Sequence, residues 1–279
     1  MHKSRAAALV AGFLIALLPV GARADLTPVD LELIMAVDVS GSVDVEEARL
    51  QREGYIAAFR DPDVVRVIQA GMLGRIGVLY TEWASAHENR VVIDWQLVSD
   101  AATAAAFADA LARQPALRGR RTSIAAAIEF VLPRFGTKFE GARRVIDISG
   151  DGPNNDGPPI LPARDMALKA GVVINGLPIL NEKQFVWGLP NLKELDLYFR
   201  DCVIGGPGAF YIVAEDFRTF AAAIKRKLVL EIAGRSPHTQ YAQSIYPERP
   251  MFLPDGSTDC LVGEKLLEIF QRRQRQMPY

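Results

Sequence analysis

The chain alternates short apolar runs with amphipathic segments. Residues 31–37, LELIMAV, form a near-continuous apolar run, which predicts a strand that is buried on both faces. Apolar and alternating patterns predict five further strands, at residues 75–83, 90–97, 143–148, 172–179 and 209–214. The linker between the second and third of these six strands is short enough for a hairpin.

The segments between these strands favour helices. Residues 44–60 carry two acids in the first turn and then an apolar stripe, and the pair Asp61-Pro62 should end this helix. Further helices are predicted at residues 100–113, 123–135, 163–170 and 217–232. Strands that alternate with helices indicate an α/β fold, here a mostly parallel doubly wound sheet with helices on both faces. The hairpin adds one antiparallel strand at an edge.

The first residues follow a different pattern. Lys3 and Arg5 precede an apolar run, and Ala22-Arg23-Ala24 has the form of a cleavage site, so residues 1–24 are predicted to be a secretory signal peptide. An uncleaved anchor is the alternative, but the run is shorter than the ~20 residues that a spanning helix needs. We therefore expect an exported protein, periplasmic or secreted, from a Gram-negative bacterium.

Composition and charge are those of a globular protein and narrow the range of partners. The chain is 49% hydrophobic and 23% charged, and loss of the three basic residues of the signal peptide changes its net charge from -1 to -4. The basic clusters are short and are more typical of solvated faces than of a nucleic-acid site. The expected parts are a signal peptide, an α/β domain and a C-terminal appendage, at residues 1–24, 25–234 and 235–279.

The chain has two cysteines, Cys202 and Cys260. In an oxidising compartment they are expected to form a disulfide, which would tie a helix predicted at residues 260–276 back to the domain. Two buried free thiols are the alternative interpretation.

Side chains that carry oxygen follow the first strand. Asp38, Ser40 and Ser42 occupy alternate positions of the stretch DVSGS. Hard divalent cations prefer oxygen ligands, and Mg²⁺ takes only one or two carboxylates from a protein. The same residue types also form ordinary strand-to-helix turns, in which they cap the next helix. The local stretch alone leaves both interpretations open.

A second acidic loop follows a second buried strand. Asp151 lies in the stretch SGDG after residues 143–148, and Thr122 stands at the entrance of another predicted helix. Ligand sites of open α/β sheets lie beyond the carboxyl ends of strands, where the strand order reverses. If the two acidic strands flank that point, five oxygen-bearing side chains face one ion, namely those of Asp38, Ser40, Ser42, Thr122 and Asp151.

These residues resemble the von Willebrand factor A (VWA) domain and its metal-ion-dependent adhesion site (MIDAS). The family's D-x-S-x-S loop corresponds to residues 38–42, its separate threonine to Thr122, and its second aspartate to Asp151. The signal peptide and the cysteine-bearing tail are similar to those of a group of exported bacterial proteins with such a domain. One departure is that Arg120 and Arg121 precede the threonine, where the family commonly has glycine.

The resemblance implies a binding module. In the family the cation, usually magnesium, manganese or calcium, keeps a position for an acidic side chain of a partner protein. Asp38 and one of the serines would bind the ion directly, with Thr122 and Asp151 acting directly or through water. Residues 154–156 could touch a partner, although a turn before Pro158 is the simpler interpretation.

Four other functions compete with a binding module. A magnesium-dependent phosphatase of the haloacid-dehalogenase type needs a second aspartate where this chain has Ser40. A serine hydrolase lacks its G-x-S-x-G elbow, and a dinucleotide site lacks its glycine fingerprint. An envelope scaffold that binds through another face, with Trp83, Trp187 and the tail as contacts, remains the main alternative. We expect no enzymatic activity.

Overall fold

A computed structural model describes residues 26–115, 118–180, 192, 194–236 and 258–276. The predicted signal peptide and Trp187 therefore lie outside the described residues. Within those ranges, no helix is long and apolar enough to span a membrane.

Seven strands and eight α-helices are described, and both sets are numbered in chain order. The strands are β1 Thr27–Val29, β2 Leu31–Asp38, β3 Ile76–Trp83, β4 Asn89–Val98, β5 Phe139–Gly141, β6 Arg144–Gly150 and β7 Val173–Pro178. The helices are α1 Val45–Arg60, α2 Pro62–Gln69, α3 Ala101–Ala112, α4 Ile124–Val131, α5 Ile160–Lys169, α6 Leu195–Tyr198, α7 Phe220–Ile232 and α8 Val262–Gln276.

The main sheet has the strand order β4-β3-β2-β6-β7. β2 pairs in parallel with β3 on one side and with β6 on the other, and β6 pairs in parallel with β7. Only β4, at the edge, is antiparallel to its neighbour β3. The predicted fold class is confirmed. The strand order reverses at β2, so the loops after β2 and β6 open a crevice.

Two apolar cores lie on the two faces of this sheet. Leu33 and Met35 of β2 belong to a core with residues of α1, α3 and α7, whereas Ile34 and Ala36 belong to a core with residues of α4 and α5. Successive side chains of a strand point to opposite faces, so one continuous apolar run supplies both cores. The central strand is held from both sides.

Three features differ from the sequence prediction. Asp61-Pro62 ends α1 as expected, but it also begins α2, because the Asp61 side chain accepts from the amide of Asp63 and proline suits the first helical position. Residues 209–214 were predicted to be a strand and form only isolated bridges at Tyr211 and Ala214. The small parallel pair of β1 and β5 was not predicted.

A buried ionic cluster joins α7 to the sheet. Nζ of Lys227 lies 2.5 Å from Oδ1 of Asp147 and also pairs with Glu231, and all three side chains are buried. Asn175 on β7 donates to Glu231 at 2.9 Å. Two carboxyl groups share one ammonium group in a medium that disfavours charge, so burial raises the pKa of Glu231 to about 7 and also raises that of Asp147.

We expect Glu231→Gln to change the pH dependence of stability. A carboxyl group whose pKa is raised on folding stabilises the folded state below its unfolded pKa, here 4.5, and loses that contribution as the pH approaches about 7. Between those pH values the free energy of unfolding of the wild type should fall by up to about 3 kcal/mol relative to the variant.

Urea unfolding at a series of pH values measures this difference. Glu53→Gln, on the exposed face of α1, is the control and should follow the wild type. Parallel pH curves for the wild type and Glu231→Gln would contradict the prediction.

Candidate metal centre

The two acidic loops meet at the carboxyl edge of the sheet. Asp38 is the last residue of β2, and Asp151 directly follows Gly150, the last residue of β6. Val37 pairs with Ser149, so the two aspartates end neighbouring strands at almost the same level. A Cβ at position 150 would lie 3.1 Å from Oδ2 of Asp38. Glycine at this position thus leaves room for the first carboxylate.

Asp38 is fully buried, and only one of its two carboxylate oxygens accepts a hydrogen bond from a described residue. Its Oδ1 accepts from the amide of Ser40 at 2.7 Å, and its main-chain oxygen accepts from the side chain of Gln51 in α1 at 3.1 Å. Oδ2 is buried and forms no hydrogen bond with a described residue. Burial, followed by the negative charge of Asp151, raises the pKa of Asp38 well above its usual range. The arrangement favours a cation beside this oxygen.

The two serines connect the two carboxylates. Oγ of Ser40 lies 3.0 Å from Oγ of Ser42, and Ser42 in turn donates to Oδ1 of Asp151 at 2.5 Å. Ser40 and Asp151 are buried, and Ser42 is partly exposed. The serines therefore form a short hydroxyl bridge between the loop after β2 and the loop after β6.

Main-chain contacts bring the threonine loop to the same place. The amide of Gly41 donates to the oxygen of Arg120 at 3.1 Å, and the amide of Gly119 donates to the oxygen of Val39 at 2.7 Å. A Cβ at position 41 would lie 2.7 Å from the oxygen of Arg120, so the two loops can approach this closely only with glycine there. The buried Thr122 lies two residues after Arg120 in the same loop.

Thr122 also contacts the second acidic loop. A Cβ at Gly152 would lie 3.7 Å from Oγ1 of Thr122, which places the hydroxyl beside the residue after Asp151. The structure thus brings all five sequence-predicted side chains together, those of Asp38, Ser40, Ser42, Thr122 and Asp151.

Two asparagines that the sequence interpretation assigned to a simple turn join these loops. Asn155 accepts from the amide of Thr122 at 3.1 Å and donates its own amide to the Thr122 oxygen at 2.8 Å. Asn154 is buried and accepts from the amide of Ala125 in α4 at 3.0 Å. Nothing in the sequence marks these partners, because they lie about thirty residues away along the chain.

The possible ligand atoms are all oxygens and only two of the side chains are charged, which suits a hard divalent cation. It offers two carboxylates and three hydroxyls, and the buried Oδ2 of Asp38 is a ready ligand atom. The described ranges contain no group of three or more His, Cys, Asp or Glu side chains suited to a metal ion. A cation at this crevice would therefore depend on hydroxyl and water ligands, which is the chemistry that Mg²⁺ prefers.

A cleft of about 630 Å³ opens beside these side chains. The loop residues Ser42 and Thr122 line one end of it, and Leu267 and Phe270 of α8 line another part. The lining also includes three arginines and two polar residues of the second loop, namely Arg118, Arg120, Arg121, Asn155 and Asp156. The C-terminal helix is thus part of the wall of the candidate site.

The predicted disulfide between Cys202 and Cys260 is present and lies just before α8. Gly263 meets the second loop so closely that a Cβ would lie 2.0 Å from the oxygen of Asn154. The side chain of Asn154 donates to Glu264 at 2.8 Å. The helix is fixed by one covalent bond and by direct contact with a residue that also caps α4.

The family described as "Protein of unknown function (DUF1194)" has a model that matches residues 28–236 of this chain. This range includes all five residues of the candidate site and ends before α8. No curated protein matches the chain in sequence.

Solved structures share the fold at low identity. Proximal thread matrix protein 1 from the mussel byssus, in a structure titled "with zinc occupied MIDAS motif", has a TM-score of 0.53 at 14% identity, over 73% of this chain and 46% of that chain. The pilus adhesin SpaC from Lactobacillus rhamnosus GG has a TM-score of 0.53 at 15% identity, over 75% of this chain and 31% of that chain. This chain thus spans less than half the length of either.

A third structure is matched over almost its whole length. The vWF domain of the type V pili tip protein Mfa5 from Porphyromonas gingivalis has a TM-score of 0.51 at 11% identity, over 76% of this chain and 98% of that chain. Together these likenesses show that the chain has a VWA-like fold.

We expect reduction of the disulfide to destabilise the chain and to release α8. The bond closes a loop with a sequence separation of 58, which in the chain-entropy model stabilises the fold by about 4 kcal/mol. Urea unfolding with and without a phosphine reductant measures the loss, and hydrogen exchange locates it at residues 262–276. The double variant Cys202→Ala/Cys260→Ala should not respond to reductant. An unchanged unfolding midpoint of the wild type in reductant would contradict the expectation.

Proposed function

The chain belongs to the family described as "Protein of unknown function (DUF1194)", and from that premise we propose that it is an exported, adhesion-type protein-binding module. Its partner binds through a divalent cation held by Asp38, Ser40, Ser42, Thr122 and Asp151. The cation is Mg²⁺ in this proposal, with Mn²⁺ or Ca²⁺ as substitutes.

One observation carries the proposal above the others. The fully buried Oδ2 of Asp38 forms no hydrogen bond with a described residue, and a second carboxylate, that of Asp151, is close enough to raise its pKa further. A buried carboxylate oxygen without a partner is costly, and a bound cation would offset that cost. The same cation would relieve the repulsion between Asp38 and Asp151.

Each side chain has a role in this proposal. Asp38 and one of the serines bind the cation directly, and Ser42 also orients Asp151 through its 2.5 Å hydrogen bond. Thr122 and Asp151 contribute directly or through water. If Asp151 acts only through water, the cation keeps excess positive charge, and it then attracts a carboxylate of the partner.

The names of the fold relatives agree with a binding role. One is a pilus adhesin, one is a byssal matrix protein with zinc in its MIDAS motif, and one is a pilus tip protein. At this level of identity the role is an inference for the present chain. The disulfide between Cys202 and Cys260 supports export, because such bonds persist in oxidising compartments.

An enzyme is the weaker candidate. Ser40 occupies the position at which a haloacid-dehalogenase phosphatase needs its general acid, and a serine hydroxyl does not release a proton near neutral pH. The envelope scaffold that uses another face predicts binding that survives chelation. The scaffold and the metal-dependent binding module can therefore be distinguished by measuring partner binding with and without a chelator.

We expect Asp38→Asn to weaken cation binding strongly and to leave the fold intact. The amide keeps the shape of the carboxylate and can still accept from the Ser40 amide, but it removes the charge that holds the ion. Calorimetric titration with MgCl₂ and MnCl₂ should show one site in the wild type and at least a tenfold loss in affinity in the variant. In the wild type, cation at a hundredfold excess over Kd should add about 2.7 kcal/mol of stability.

Asp156→Asn is the matched control. Asp156 lies at the same rim but accepts from the amide of Ala86 and is not among the proposed ligands. It should bind the cation as the wild type does. Equal titrations of the wild type, Asp38→Asn and Asp151→Asn would refute the site, and phosphatase turnover that Asp38→Asn removes would favour the enzyme.

A further inference from the structure

We propose that the cleft beside the metal centre selects a protein segment with at least two carboxylates and an apolar side chain. This inference rests on the proposed function, because the first carboxylate is the one that binds the cation. The second carboxylate pairs with Arg120 and Arg121, and the apolar side chain packs on Leu267 and Phe270 of α8.

The two arginines are fixed at the main chain while their charged ends remain exposed. The amide of Arg120 donates to Glu88 at 3.0 Å, and the amide of Arg121 donates to Ser85 at 3.1 Å. Both side chains are exposed. The main chain therefore fixes the positions from which both side chains extend, directly before Thr122, and a partner that binds them still orders their long exposed side chains.

Neither guanidinium group is hydrogen-bonded to a carboxylate within the described part of the chain, although the positive charge of Arg120 also acts on the nearby carboxylate of Glu88. Arg120 forms no ion pair with a described residue, and the nearest carboxylate oxygen to Arg121 is that of Asp156, at 3.7 Å. Glu88 accepts from the main-chain amide of Arg120. Exposed pairs of this length contribute little, so both charges are available to a partner carboxylate.

Arg118 has a different role from its two neighbours. Its Nε donates to the oxygen of Val43 at 3.0 Å, and a terminal nitrogen donates to the oxygen of Gly41 at 3.3 Å. It therefore holds the first acidic loop from outside. The second carboxylate of the partner therefore pairs with Arg120 and Arg121 and not with Arg118.

Another part of the cleft lining is apolar. Leu267 and Phe270 are partly buried on α8, one turn apart, and both line the cleft. The disulfide and the contact of Gly263 with Asn154 fix this helix against the second acidic loop. An apolar side chain that follows the cation-binding carboxylate along a partner segment can therefore reach a prepared surface.

A peptide suits this cleft better than a phosphate polymer does. The lining has three arginines against Asp156, but the chain as a whole is acidic, with a net charge of -1. Nucleic acids and anionic membranes bind extended basic faces, whereas here the positive charge is confined to one rim and borders an apolar wall. A short acidic segment with one apolar residue matches both features.

Selection from a random peptide library displayed on phage tests the inference. The target is the full chain with its disulfide intact, immobilised in MgCl₂, and bound phage are eluted with EDTA. The variants are Arg120→Glu/Arg121→Glu and Leu267→Ser/Phe270→Ser. Arg226→Glu/Arg235→Glu, which makes the same charge change outside the cleft, is the control, and calorimetry with MgCl₂ checks that every variant still binds the cation.

We expect wild-type peptides to contain two acidic residues and one apolar residue. The charge-reversal variant should bind them about tenfold more weakly and should itself select one acid accompanied by a basic residue. The serine variant should lose the apolar preference, and the control should behave as the wild type. EDTA-eluted peptides with a single acid, bound equally by all variants, would overturn this inference and leave the proposed function standing.

Two other outcomes are decisive. If no peptide depends on the cation, the proposed function fails and this inference fails with it. A fluorescent DNA duplex and vesicles of phosphatidylglycerol are tested in parallel. Binding of either to the wild type but not to Arg120→Glu/Arg121→Glu, without selection of acidic peptides, would assign the arginines to phosphate groups and overturn the peptide proposal.

Discussion

The approach of two carboxylates at the reversal point of the sheet is the constraint on which the candidate site depends. Asp38 ends β2 and Asp151 follows β6, and these strands are neighbours whose chains leave toward opposite faces. Burying Asp38 beside a second negative charge is unfavourable. The two apolar cores that pack on both faces of β2 stabilise the fold, and this stabilisation offsets the cost of burying the carboxylate.

Main-chain contacts rather than side chains set the shape of the crevice. Gly41 and Gly150 allow close approaches that a Cβ would prevent, one to the oxygen of Arg120 and the other to the carboxylate of Asp38. Hydrogen bonds between main-chain groups link residues 39–41 to residues 119–120, and Asn155 links Thr122 to the second loop. These contacts join protein groups directly, and they place the oxygen-bearing side chains around one crevice.

The sequence predicted the features that depend on a clear local pattern, and it failed where one local pattern has two interpretations or where distant partners decide. The run at residues 31–37 revealed the central strand because both its faces are apolar, and alternation of strands and helices revealed the fold class. α2 was missed because Pro62 reads equally as the end of one helix and the start of the next. The roles of Asn154 and Asn155 could not be read, since their partners are far away in the sequence.

The contacts of α8 argue against treating this helix as separate from the site. Asn154 contacts Gly263 and Glu264 of α8 on one side and caps α4 on the other, and its neighbour Asn155 holds Thr122. The same two residues thus connect the tail, the helix behind the site and one of the proposed ligands. A disulfide that fixes the start of α8 therefore acts on the wall of the cleft as well as on the stability of the fold. Covalent closure is an effective way to hold such a wall, because few apolar side chains of α8 are buried.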